Sequence, residues 1–316
     1  MTRKSEIILS SGVNMVKPSI VFFGSGPVAA ASLAGILDSW EIELVITKAR
    51  PAYHKTPAPV EELALQHDLP LKFANTKKEV DQVLTNTDID SPVGLLVDFG
   101  VIVSPFAINR FEKGIINSHF SLLPRWRGAD PITYCLLEGD DETGVSLMKI
   151  IAKLEEGPLI AQEKLPLPDK IDAGQLTELL VTLSNSMINK YLPLFLHNQL
   201  KTRPQLTSGV TYSHKIKKFD GIIDWAETAD RIEREIRAYA IWPKSRTMLD
   251  GIDCIITEAD VTKAVGTPGK YKVTGGSLLI FAKKDALSIK RLKPAGKKEM
   301  DIEAFLAGYK PRLKAN

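Results

Sequence analysis

Residues 19–37 read SIVFFGSGPVAAASLAGIL, an uncharged run broken at Gly24, Ser25, Gly26 and Pro27. Before the break, Ser19–Phe23 is a short apolar segment of the kind a buried strand needs. After it, an alanine- and leucine-rich stretch suits a helix. The run follows a basic tail and holds small residues, so it mimics a signal sequence or a membrane span. Neither needs two glycines and a proline in its middle. The break falls where a strand would turn into a helix, and the run reads as the first β–turn–α unit of a larger sheet.

Outward from that unit the same alternation continues. Ile42–Thr47 is a second β-rich run, and residues 59–67 (PVEELALQH) are helical with Pro59 in the first turn. Val93–Val97 (VGLLV) is continuously apolar, as in a strand buried on both faces, and Gly114–Asn117 is another short strand. Alternation of this kind predicts an α/β fold with a doubly wound, mostly parallel sheet, whose ligands sit at the carboxyl ends of the strands. A long helix should follow, opened by a capping box at Asp172 and Gln175, with Leu176, Leu179, Leu180, Leu183 and Met187 facing the core. Residues 196–209 break periodicity and read as a linker. Beyond it come a helix over roughly 228–240 and short β-runs at Asp253–Thr257, Gly269–Val273 and Ser277–Ala282, the pattern of a small antiparallel barrel. The expected division is a polar extension over 1–17, a catalytic domain over 18–195, the linker, and a barrel domain over 210–316.

Composition narrows the function classes. Two cysteines, Cys135 and Cys254, are too few for a disulfide framework or a zinc site and fit a reducing, cytoplasmic setting. No metal site is expected, and no membrane attachment. Residues 208–316 carry 21 Lys/Arg against 14 Asp/Glu, while the rest of the chain carries 20 against 24. A basic C-terminal unit on a mildly acidic larger one suits a polyanionic partner.

The glycine turn is half of a dinucleotide fingerprint, but Ala29 stands where the third glycine belongs. The second strand ends in Thr47-Lys48-Ala49, without the acid that would hold a ribose. A nicotinamide cofactor is therefore not expected, although the turn at Gly24 remains a place where backbone approaches a substrate. The densest chemistry lies in residues 117–131 (NSHFSLLPRWRGADP). Asn117 and His119 alternate at a strand end, so their side chains share a face. An amide donor beside an imidazole suits a reaction that passes through an oxyanion.

This run, continuing through residues 139–150, resembles the signature of the folate-dependent formyltransferases, most nearly the methionyl-tRNA formyltransferases. The resemblance extends to residues 60–64 and 95–105, and resumes at 211–225 (TYSHKIKKFDGIIDW), 237–243 (RAYAIWP) and 291–310. It implies a Rossmann-like formyltransferase domain with a small OB-like barrel, and a co-substrate, 10-formyltetrahydrofolate, on which Asn117 and His119 act. Ser121, Leu122, Leu123 and Pro124 would line the folate site, and Gly100, Val101, Ile102 and Val103 would border the pterin. The acceptor would be the α-amine of initiator methionyl-tRNA, and a monomer is the expected form.

Two positions depart from the family pattern. The family has an aspartate two places before a glycine, and here Glu155 stands in that place, one methylene further from the backbone. The basic loop over 47–59 is shorter than usual but keeps Lys48, Arg50, His54 and Lys55. Gly24, Arg50, Lys55 and Arg127 are expected to bind substrate or tRNA, the 47–59 loop reaching towards the acceptor end. Lys215, Lys217, Lys290 and Arg291 are expected on a docking face fed by residues 283–298, which hold seven cations and one acid. A sugar-nucleotide N-formyltransferase and a catalytically weakened tRNA-binding relative are the alternatives.

Overall fold

A computed structural model describes residues 17–51 and 56–309. The extension expected over 1–17 therefore lies outside the described residues except for Lys17. The larger domain runs β1 (Ser19–Gly24), α1 (Gly26–Ala34), β2 (Glu41–Thr47), α2 (Pro59–Gln66), β3 (Leu71–Phe73), α3 (Lys77–Thr85), β4 (Gly94–Val97), α4 (Pro105–Asn109) and β5 (Ile115–His119). It continues through β6 (Arg127–Gly128), α5 (Pro131–Glu138), β7 (Glu142–Lys149), β8 (Leu159–Pro166) and α6 (Ala173–Leu196). Seven strands form one sheet in the order β3-β2-β1-β4-β5-β7-β8. The first five are parallel, β7 adds antiparallel to β5, and β8 antiparallel to β7. Strand order reverses between β1 and β4, so the carboxyl ends of that pair open the crevice typical of doubly wound sheets.

Alternate side chains send the sheet into two cores. Ile20, Phe22, Leu95, Val97 and Ile116 pack with α1, α2, α5 and α6 on one face. Val21, Phe23, Leu44, Ile46 and Ile115 pack with α3 and α4 on the other. The long helix α6 starts at the expected capping box: Asp172 Oδ1 accepts from Gln175 N at 2.9 Å, and Gln175 Oε1 accepts from Asp172 N at 3.1 Å. Of the leucines expected inside, Leu176 and Leu180 are buried, whereas Leu179 is 41% exposed, one position off the stripe. Ser118 Oγ lies 2.7 Å from Ser184 Oγ of α6. That contact fixes the parity of β5 and sends Asn117 and His119 to the opposite face.

After α6 the chain does not hang free. Arg203 exchanges backbone hydrogen bonds with Leu159, and β9 (Tyr212–Ser213) pairs in parallel with β6. The smaller unit holds α7 (Ala229–Ala238), β10 (Ser245–Leu249), β11 (Ile252–Thr262), β12 (Tyr271–Thr274), β13 (Ser277–Phe281), β14 (Ala286–Pro294), β15 (Met300–Asp301) and α8 (Ile302–Tyr309). Its strands are antiparallel, as their short spacing predicts, in the order β10-β11-β14-β13-β12 with β15 on β14. Among the described residues no pairing joins β10 to β12, so the sheet is open rather than closed into the expected barrel. Helices α7 and α8 cover it, with Ile232, Ile236 and Phe305 in its core. Arginines of α7 hold the two units together: Arg231 and Arg234 donate to Leu137 O at the end of α5, and Arg237 donates to Ile171 O at 2.9 Å. Among the described residues no helix is long and apolar enough to cross a membrane.

Candidate active site

Asn117 and His119 lie at the carboxyl end of β5, 8% and 5% exposed. The Asn117 side chain has no hydrogen-bond partner among the described residues, so a buried amide is left with donors and an acceptor to offer a ligand. His119 is held more firmly, with Nε2 lying 2.9 Å from Trp126 O and Nδ1 3.6 Å from Glu155 Oε1. The Trp126 carbonyl fixes the ring, and the Nδ1 edge, with its longer separation from the carboxylate, has room to handle a proton.

The loop that presents Trp126 O is over-determined. Trp126 has φ 58, unusual for a bulky residue, and follows a cis Leu123–Pro124 bond. Its indole donates to Asp140 at 2.8 Å and its backbone N–H to Thr211 Oγ1 at 2.9 Å, while Arg125 Nε reaches the same Asp140 at 2.8 Å. Ser146 Oγ donates to Ser121 O at 2.6 Å and accepts from Leu123 N at 3.1 Å. Strained backbone persists where surrounding contacts leave no alternative, and such places cluster at active sites.

Glu155 sits on the turn between β7 and β8, also left-handed at φ 53. Its Oε2 accepts the backbone N–H of Gly128, and its Oε1 faces His119. The carboxyl is raised from its ordinary pKa by burial, against the pull of His119, Gly128 N–H and Arg127. The extra methylene is thus used to span two partners. Gly157, the glycine of the motif, lies so close to the Lys149 carbonyl that any side chain there would collide with it.

Beneath the turn is Gln205, for which the sequence offered no signal because it falls in the segment read as a linker. Its amide donates to Glu155 O and Gly157 O, both at 2.8 Å, and accepts from Arg127 at 2.8 Å. Arg127, expected to bind substrate or tRNA, is engaged within the protein. It is buried, bound to Gln205 and paired with Glu156 at 3.6 Å, and it supports the turn that carries Glu155.

Other expected residues are distributed as follows. Ser121, Leu123 and Pro124 are buried and shape the site from behind, with Leu122 half-buried. Gly100 has φ 66, Val101 and Val103 rest on the same core as Ile150, and Ile102 is 75% exposed. The loops after β4 and β7 thus stand on the face to which Asn117 and His119 point. Gly24 is closely packed, since a Cβ there would meet the Phe22 ring and lie 2.7 Å from Ala29 Cβ. Arg50 is exposed and 4.0 Å from Glu61, while Lys55 falls outside the described residues. Lys215 and Lys217 are exposed, the latter 5.5 Å from the Phe219 ring. Lys290 and Arg291 are exposed but engaged, 3.5 Å from Asp260 and 2.8 Å from Glu299, partners that a count of cations along one strand does not reveal.

Known proteins fit this geometry. Residues 19–191 match the family model described as formyl transferase, and residues 215–310 match the formyl transferase C-terminal domain. A methionyl-tRNA formyltransferase of Pelobacter propionicus is 31% identical, covering 93% of this chain and 94% of its own length. One from Chloroflexus aurantiacus is 34% identical, covering 92% and 96%. Among solved structures, an N-formyltransferase from Helicobacter canadensis in complex with folinic acid and dTDP-3-aminofucose superposes with a TM-score of 0.65 at 16% identity, covering 87% of this chain and 99% of that one. An oxyanion-type pair on a doubly wound sheet, matched by both domain models and by relatives over nearly the whole length, makes the chain a member of the formyl transferase family that groups with the methionyl-tRNA formyltransferases.

Proposed function

We propose that the chain moves the formyl group of 10-formyltetrahydrofolate to the α-amine of methionyl-tRNA for translation initiation, acting as a cytoplasmic monomer. One observation carries the chemistry: the unpartnered amide of buried Asn117 stands two residues before a histidine locked between a carbonyl and a carboxylate. The acceptor follows from likeness over more than nine-tenths of the chain to relatives named for that reaction. Folate as donor is supported by the solved neighbour that holds folinic acid.

The residues present suit such a co-substrate. Ile102 and Leu154, 75% and 69% exposed, stand on the loops flanking the end of β5, where uncovered aliphatic chains would suit a flat heteroaromatic ring. The left-handed turn at Gly100 brings backbone amide and carbonyl groups to the same place. The bound folate supplies an electrophilic formyl carbon on N10. As the acceptor nitrogen attacks, Asn117 donates to the oxygen on which charge grows, a stabilisation typically worth about 3–4 kcal/mol per donor. The attacking nitrogen must lose a proton and the departing one must gain one. His119 Nδ1 is the edge that can hold it, with Glu155 steadying the charged ring.

Exposed Lys215, Lys217 and Lys218 near the start of the smaller unit support a nucleic-acid acceptor. The test supplies purified protein and 10-formyltetrahydrofolate with methionyl initiator tRNA or, separately, an amino-sugar nucleotide. Formylation of the tRNA alone is expected. Formylation of the sugar alone overturns the acceptor, and tRNA binding without turnover marks the chain as an inactive relative.

A further inference from the structure

Asp98 stands at the switch point of the sheet, directly after β4 and beside the turn that follows β1. Its backbone is left-handed at φ 44, and its carbonyl accepts from Ser25 N at 3.0 Å. One carboxylate oxygen lies 3.6 Å from the place a Cβ would take on Gly26. Leu96 pairs with Asn117, so Asp98, two residues on, leaves β4 at the same carboxyl edge at which β5 ends in His119. Asn117, more than nine-tenths buried and without a side-chain partner among the described residues, opens at the same carboxyl edge.

Two charged groups face Asp98 across this crevice: Lys48 from the end of β2, and Asp130 from the start of α5. Asp130 is in turn held by Ile216 N at 2.9 Å, with Lys215 beside it. Although Asp98 is exposed along the crevice, its carboxyl is hemmed in by these walls. Burial first, and then Asp130, push it up to about 6 against the pull of Lys48. Glu155, the other carboxylate of the site, is committed to Gly128 and His119.

We propose that Asp98 receives the ammonium group of the acceptor and takes its proton, delivering a neutral amine to the formyl carbon. The inference rests on the formyl-transfer reading above. An N–H bond of the ammonium breaks, an O–H bond forms on Asp98, and the nitrogen keeps the electron pair. That pair then makes the new C–N bond as the carbonyl π pair moves onto oxygen, and Asp98 returns its proton to water. An α-ammonium titrates near ~8, so against an ordinary carboxylate near ~4 the proton favours nitrogen about 10,000-fold. Against a group near 6 the preference is only about 100-fold.

The test is the pH profile of Asp98→Asn, an isostere that also tolerates left-handed backbone. For methionyl-tRNA, kcat/KM is expected to fall about 30-fold at a pH of roughly 6.5, where all but a few per cent of the amine arrives charged. At about pH 9, where it arrives neutral, the fall is expected to be about 3-fold or less. The KM for the formyl donor stays unchanged, and Asp98→Glu recovers part of the rate at the lower pH. A loss of equal size at both pH values, the mark of a structural role, overturns the proposal, and so does full activity at the lower pH. If the natural chain formylates no methionyl-tRNA at any pH, the functional reading itself has failed. That result is seen without any variant and takes the role of Asp98 with it.

Discussion

Replacing Glu155 by Gln isolates the charge of its turn from its shape. The amide keeps the volume and one oxygen, so the acceptor for Gly128 N–H survives. It loses the negative charge 3.6 Å from His119 Nδ1 and turns an N–H donor towards a nitrogen that must carry a proton. At that distance, with an effective dielectric constant of about 20, the full Coulomb term is roughly 4–5 kcal/mol. Arg127 and entering water offset part of it, so about 2–3 kcal/mol should be missing from the transition state, a fall in kcat of roughly 30- to 150-fold. Burial raises the Glu155 carboxyl, so its ionised form opposes folding above the unfolded pKa. The Gln variant should therefore melt no lower than the natural protein at neutral pH, which separates lost chemistry from lost structure. Single-turnover formyl transfer reads the chemical step directly, and steady-state rates give kcat, with KM for either substrate expected to move less than about 3-fold. A Glu155→Gln variant with kcat within about 3-fold of the natural value would refute the electrostatic role.

Three further outcomes follow from other parts of the structure. Gln205→Leu removes both hydrogen bonds under the Glu155 turn and leaves Arg127 without its acceptor, so urea denaturation should show a loss of about 2–3 kcal/mol, with kcat falling at least 10-fold. Glu235 on α7 is pushed up to about 7 by burial, against the weaker pull of Ser245 and Arg231. The folded protein thus holds a proton that the unfolded chain releases between the ordinary glutamate value of 4.5 and about 7, stability falls across that window, and above it the penalty is about 3 kcal/mol. Glu235→Gln should raise the urea midpoint at about pH 8 and leave it unchanged at about pH 4.5; an equal gain at both would remove the titration from the account. Binding of tRNA should weaken steeply with salt. Lys215→Ala with Lys217→Ala should flatten the slope of log K against log salt by about 2, measured by filter retention, because each exposed cation releases roughly one counterion.

The large sheet was legible because its signals are local. An apolar strand, a glycine break and a helix recur within short windows, and the reversal between β1 and β4 follows from stacking such units. The open form of the smaller sheet was not legible. Short alternating runs disclose antiparallel strands, but closure depends on whether the first and last strands meet, a contact between residues far apart in the chain. The same distance hid the role of Arg127, whose partner Gln205 lies 78 residues on, and the Asp260 that lies beside Lys290.

Asn117 and His119 could be read from alternation on one strand, because parity alone sends them to one face. Glu155 could be placed by its motif but not understood from it, and here the structure adds a reason for the departure from aspartate. The turn holds residue 155 at φ 53, fixed by Gln205 below and by the Gly157 approach to Lys149 beside it, so the backbone has little freedom to move towards β5. From that anchor the carboxylate must reach both Gly128 N–H and His119. An aspartate ends about 1.5 Å short and can satisfy one partner only. Restoring the family residue with Glu155→Asp should therefore impair this chain, lowering kcat about 10- to 100-fold in the same assays. Activity equal to or above the natural level would show instead that the loop adjusts freely, and that the glutamate is tolerated rather than fitted.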